Sequence, residues 1–138
     1  MNYFKINGQD YNVVVTGIEE SFEILYTENS GRSLGDGAPM TLDPIGTFFG
    51  HKVTVKRKSG FEREYDELYS LLAQPRRVEK TEDALLFEVA HLQETIAYRA
   101  YVSKGARAVK TIDEKTGKVY WGELSLNIVP IEAQVLPL

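Results

Sequence analysis

The 138-residue sequence contains no cysteine, which excludes thiol nucleophiles, thiol redox chemistry and every zinc site built on thiolates. Histidine is nearly as scarce. His51 and His91 stand far apart, with no His-x-x-x-His or Glu-x-x-His grouping around either, so a metal or catalytic pair would have to be made by the fold. No apolar run approaches the roughly 20 residues of a membrane span, and Met1-Asn2-Tyr3-Phe4-Lys5 lacks a basic start and apolar middle, so the expectation is a soluble chain, cytoplasmic when made. Positive charge is also short. Sixteen Lys and Arg against twenty Asp and Glu give a net charge of −4, with no global attraction for nucleic acid or an anionic membrane.

What is present is enough for a core. With 43% hydrophobic residues, a chain of this length buries about 68% of its unfolded surface and reads as a single domain over residues 1–138. Phe4 and Ile6 alternate with polar neighbours, Asn7-Gly8 is a type I′ turn pair, and Tyr11, Val13 and Val15 resume the alternation, which predicts an opening hairpin. After Gly17, Phe22, Ile24 and Tyr26 share one face of a further strand, with Glu23 turned to water.

Periodicity then stops. The segment from about residue 28 to 46 collects glycines and prolines and reads as a long early loop or extended arm; structureless connections longer than about 12 to 15 residues usually carry a binding function. Leu34, Met40, Leu42 and Ile45 are its apolar anchors, which an isolated monomer would cover poorly.

Strand character returns at Phe48–Lys58, with Phe49, Val53 and Val55 on a buried face and Lys52, Thr54 and Lys56 opposite. Ser59-Gly60-Phe61-Glu62 matches a capping box, and Phe61, Tyr65, Leu68, Tyr69 and Leu72 recur at helical spacing until Pro75, which predicts a helix over about 61–74. Leu85–Val89 and Ile96–Val102 read as a hairpin turning at Gln93-Glu94. Arg107–Ile112 and Val119–Ile131 read as another, with Leu124, Leu126 and Ile128 inward. Pro130 ends ladder pairing, leaving residues 131–138 as a strand edge or an apolar tail. The sum is a mainly β (α+β) protein, an antiparallel β-sandwich or split barrel with one flanking helix.

Candidate chemistry is sparse. Ser30-Gly31-Arg32-Ser33 and Leu34-Gly35-Asp36-Gly37 resemble phosphate loops only superficially, because neither joins a strand to a helix and Lys-Ser or Lys-Thr is missing. Glu19, Glu20, Glu23, Asp36 and Asp43 lack the rhythm of a calcium loop and read as solvated charge. Lys52, Lys56, Arg57 and Lys58 with Arg76, Arg77 and Lys80 bracket the helix and would suit an acidic partner if the two helix ends shared one edge. Trp121 reads as a core plug. No grouping of nucleophile, base and orienter can be named, so the expectation is no enzyme, no catalytic or metal residues and no cofactor.

The residues Lys5-Ile6-Asn7-Gly8, Gly17-Ile18-Glu19-Glu20-Ser21-Phe22, Gly31-Arg32, Asp43-Pro44-Ile45-Gly46-Thr47, Glu64-Tyr65-Asp66, Leu71-Leu72-Ala73-Gln74-Pro75, Tyr120-Trp121-Gly122 and Leu126-Asn127 carry a resemblance. The chain resembles small tail and baseplate structural proteins of long-tailed phages and prophages of Gram-positive bacteria, a tail-tube-like or distal-tail-like β-barrel family. The resemblance implies a virion subunit made in the host cytoplasm, stacking in rings of six or three copies and touching neighbouring tail proteins, with no specific nucleic-acid recognition and no membrane. It carries over no functional residues. Leu34, Met40, Leu42 and Ile45 are the intersubunit contacts expected from the arm. The alternative class is a stand-alone carbohydrate- or peptide-binding module using Tyr3, Tyr11, Tyr98, Tyr101 or Tyr120 as a platform.

Overall fold

A computed structural model describes residues 3–138. Six antiparallel strands form one sheet in the order β1 (Phe4–Ile6), β6 (Leu85–His91), β7 (Glu94–Asp113), β8 (Lys118–Pro130), β5 (Pro44–Arg57) and β2 (Val13–Tyr26). β3 (Gly31–Arg32) and β4 (Met40–Thr41) pair separately at the far end of the β2–β5 hairpin. The sheet coils until β2 at one edge meets β6, the strand beside the other edge, through Glu20 and His91, which makes a split barrel, and α1 (Glu62–Ala73) flanks it.

Period-two alternation fills the interior. Val53 and Val55 on β5 face Leu126 and Leu124 on β8, Phe87 and Val89 come from β6, Phe4 and Ile6 from β1, and all are buried. Tyr65 and Leu68 from α1 join this core, with Tyr69 and Leu72 half-buried beside them. The helix does not use the expected capping box: Phe61 stands at the N-cap position without a side-chain cap, and Gly60 at φ +87° turns the chain ahead of it. Glu62 starts the helix instead, where its own backbone N–H holds the carboxyl below the usual range.

Three other expectations change. Asn7 and Gly8 do take the left-handed conformations of the predicted turn, closed by Gln9 N–H donating to Ile6 O at 2.9 Å. The opening hairpin nevertheless ends after that bridge, because β1 pairs with β6 and β2 with β5. The residue pairs at 13–15 and 22–26 belong to one 14-residue strand, and the two later hairpins share the continuous 20-residue β7. The β6–β7 turn lies at Leu92-Gln93, one residue earlier than predicted, with Leu92 at φ 53°.

Two bulges decide which side chains face inward. On β2 the register shifts between Val15 and Gly17, so Val13 and Val15 are followed on the inner face by Ile18, Glu20 and Phe22, opposite Val53, His51 and Phe49. On β7 the register shifts between Val102 and Lys104, which brings Arg107 opposite Leu124 and toward the helix. Past β8, the tail runs beside the start of β5. Gln134 holds the Phe49 backbone from both sides, accepting from its N–H at 3.0 Å and donating to its O at 2.9 Å, while Thr47 N–H donates to Val135 O.

Candidate functional site

Beyond the barrel, residues 44–50 of β5 pair only with β2 and the tail, so the β2–β5 hairpin projects as a ribbon. The segment at 28–46 forms its end. It is not structureless. Thr27 N–H donates to Asp43 O at 2.9 Å, Thr27 Oγ1 donates to Asp43 Oδ2 at 2.7 Å, and Asp43 N–H donates to Ser30 Oγ at 2.8 Å. Further out, Ser33 N–H donates to Pro39 O and Ala38 N–H to Gly35 O, which closes a turn at the tip.

This ordered arm is apolar on its surface. Leu34 is fully exposed, and Met40, Leu42 and Ile45 are each about half exposed. The strand leading to it adds Phe22, 68% exposed, with Ile24, Leu25 and Tyr26 near 40%. The alternation of Phe22, Ile24 and Tyr26 predicts a face packed on a core, yet this stretch lies beyond the barrel, where Phe22 meets only the Phe49 ring among the described residues' aromatic contacts and all three side chains stay substantially exposed. That uncovered alternation was the sequence signal that extends the arm's apolar surface down β2.

At the base of the ribbon lies a polar seam. Glu20 Oε2 is 2.9 Å from His51 Nε2 and 2.6 Å from His91 Nδ1, and His51 Nδ1 is 2.6 Å from the Tyr98 hydroxyl. A carboxylate only accepts, so both imidazole nitrogens facing it donate; His51 then accepts from Tyr98 O–H through Nδ1. Burial drives the His51 pKa below its ordinary value against the pull of Glu20, which keeps the ring neutral. Burial alone would raise Glu20, but the hydrogen bonds from His91 and His51 outweigh it and hold the carboxyl below its usual range. Burial, with the Glu20 charge, pushes Tyr98 well up. The two histidines, which spacing alone leaves apart, are thus joined by a carboxylate from β2, and the joint ties one edge of the sheet to the strand beside the other. Among the described residues no group of three or more His, Cys, Asp or Glu is placed to hold a metal.

A second tie holds the helix. Arg107, nine-tenths buried, lies over the rings of Tyr69 at 3.8 Å, Trp121 at 4.2 Å and Tyr65 at 5.2 Å, and donates to Asp66 Oδ1 at 2.9 Å. Tyr65 O–H donates to Gly122 O at 2.6 Å. Trp121 is therefore half-buried beneath a guanidinium rather than plugged into the core. Sequence reading missed Arg107 because only the β7 bulge turns it inward.

The remaining candidates are dispersed. Arg57 lies over Tyr120 and pairs with Glu62 at the start of α1, whereas Arg76 and Arg77 follow its other end, about 18 Å away along a 12-residue helix. The bracketing cations do not share an edge. Tyr98 is buried, Tyr3 lines a groove along β2 and Tyr101 a different cavity, so the five tyrosines form no common platform.

These features define a split β-barrel with a flanking helix and a projecting apolar ribbon. No family model matches the chain, and no curated protein matches it at a significant level. The fold is similar to that of a chain in the solved virion of a native gene transfer agent particle, with a TM-score of 0.59 and 11% identity over 99% of this chain and 95% of the other.

Proposed function

We propose that the protein is a non-enzymatic structural subunit of a phage tail, baseplate or phage-tail-like injection particle. Copies join in a ring, of six or three by analogy with tail proteins, through the β2–β5 arm, and the ring contacts neighbouring tail proteins in the virion. The observation that carries this reading is the ordered arm with its apolar surface uncovered. A hydrogen-bonded turn that presents Leu34, Met40 and Leu42 to water gains its cover from a neighbour. The likeness to a chain of a virion particle, which spans nearly all of both chains, supports the same reading.

The test replaces residues 28–42 by a short Gly-Ser linker. Thr27 and Asp43, already bonded to each other, keep the ribbon closed. The far-ultraviolet dichroism is expected to change little, while ring formation and incorporation into particles are lost. Assembly of the shortened protein like the parent would overturn the reading in favour of a stand-alone binding module.

A further inference from the structure

If the arm joins copies, a receiving surface must exist on the same chain, and the structure offers one. We propose that the turn between β3 and β4 is a plug: Leu34 of one copy enters the cavity beside the C-terminal end of α1 on a second copy, where Asp36 pairs with Arg76. This rests on the ring reading and adds the site where the arm lands.

The plug is built before it binds. Ser33 N–H donates to Pro39 O at 2.9 Å, Ala38 N–H to Gly35 O at 3.0 Å, and the Arg32 guanidinium to Ala38 O at 3.3 Å. Gly37 and Ala38 take positive φ to close the turn. The backbone around Leu34 is thus ordered by its own hydrogen bonds, so docking costs little further conformational entropy. A fully exposed leucine on such a turn has only burial to gain.

The socket offers apolar walls and the complementary charge. A cavity of about 400 Å³ lies between the loop after α1 and strands β6 and β7, walled by Leu72, Pro75, Val78, Leu85 and Val102. Its one charged lining residue is Arg76, which makes no ion pair among the described residues, whereas its neighbour Arg77 is paired with Glu79. Asp36 follows Leu34 by two positions on the plug and is likewise without an ion pair among them. Apolar side chain meets apolar wall, and carboxylate meets guanidinium at the rim. Two other hollows that carry a lysine fit less well. The cavity beside Lys104 holds about 210 Å³, and Lys58 beside the β2 groove already lies over Phe61. Because plug and socket are different patches of one chain, the contact is head-to-tail, the type that makes a ring when the rotation from copy to copy closes.

The experiment measures self-association by sedimentation at chain concentrations up to millimolar. Leu34→Asp is expected to weaken association about tenfold or more, and Asp36→Arg and Arg76→Glu each to weaken it clearly. The Asp36→Arg, Arg76→Glu double variant is expected to regain most of it. Mixing Leu34→Asp protein with Arg76→Glu protein is expected to give a heterodimer that grows no further, since the mixture contains one working plug facing one working socket. All of these residues are exposed or line a surface cavity, so dichroism serves only to confirm that each variant is folded. A wild type that stays monomeric at millimolar concentration, or charge reversal without recovery, overturns the proposal. Association that survives Leu34→Asp but is lost with the Gly-Ser arm overturns this pairing while leaving the ring reading in place.

Discussion

Glu20 on β2 and His91 on β6 meet across the open side of the barrel, 2.6 Å between Oε2 and Nδ1, although 71 positions separate them. Neither strand is paired with the other, so this contact, with His51 and Tyr98 behind it, holds the two halves of the seam together. Removing Glu20 takes the shared carboxylate acceptor from two imidazole N–H groups. Glu20→Ala is expected to cost about 1 to 3 kcal/mol and to raise amide exchange along Val89–His91. Glu23→Ala, on an exposed position of the same strand, is expected to cost almost nothing. Equal effects in denaturant titration would show that the seam is not a joint.

The same cluster makes stability depend on pH. The folded pKa of His51 lies below its ordinary value of 6.5, and that of Glu20 below 4.5, so in both windows the unfolded chain binds more protons. Their contribution is fully present above about pH 6.5, declines as His51 is protonated below it, and declines again below 4.5 as Glu20 is. The melting temperature should therefore fall on acidification, with the His51→Gln variant showing a flatter profile between pH 7 and 5. A parallel profile would remove His51 from the account.

Helix docking gives a third expectation. Leu68 is wholly buried against the sheet, and truncation to Ala should cost about 2 to 5 kcal/mol. Glu67 is exposed and forms only an i,i+4 pair with Arg63, so Glu67→Ala should cost no more than about 0.5 kcal/mol. Thermal denaturation distinguishes the two.

Arg107 tests the second tie. Its planar guanidinium covers three rings and bonds Asp66, a geometry an ammonium cannot reproduce. Arg107→Lys should destabilise by about 1 to 2 kcal/mol despite the retained charge. It should also change the emission of Trp121, the single tryptophan. Unchanged emission and stability would show the stack to be incidental.

Gly46 governs the tail. A Cβ there would lie 2.7 Å from both Ala133 Cβ and the Val135 carbonyl oxygen, so Gly46→Ala should push the tail off β5. Limited proteolysis is expected to cut residues 131–138 sooner in the variant. Equal protection would show that the backbone absorbs the methyl group.

Local pattern and global pairing were legible to different degrees. The inward rows Val53 and Val55, and Leu124, Leu126 and Ile128, could be read from alternation, because side chains on a strand repeat every two residues whatever the strand pairs with. The stripe of Tyr65 and Leu68 followed from helical spacing for the same reason. The partner of each strand did not follow: Asn7-Gly8 makes its turn, yet the hairpin it would close is overridden by the pairing of β1 with β6.

The sequence by itself determined a mainly β chain with one amphipathic helix, no thiol chemistry, and a Gly- and Pro-rich arm with apolar anchors, since these depend on composition and short-range periodicity. Tertiary structure alone decided that Glu20 rather than Glu19 faces His51, that Arg107 turns to Tyr69 and Trp121, and that Phe22 lies beyond the core its alternation is patterned to join. The first two follow from single-residue bulges, each of which reverses the inside and outside of the strand beyond it. The third depends on where the neighbouring strand ends: residues 44–50 of β5 have no β8 beside them, so an alternation that would be buried inside the barrel is exposed on the ribbon.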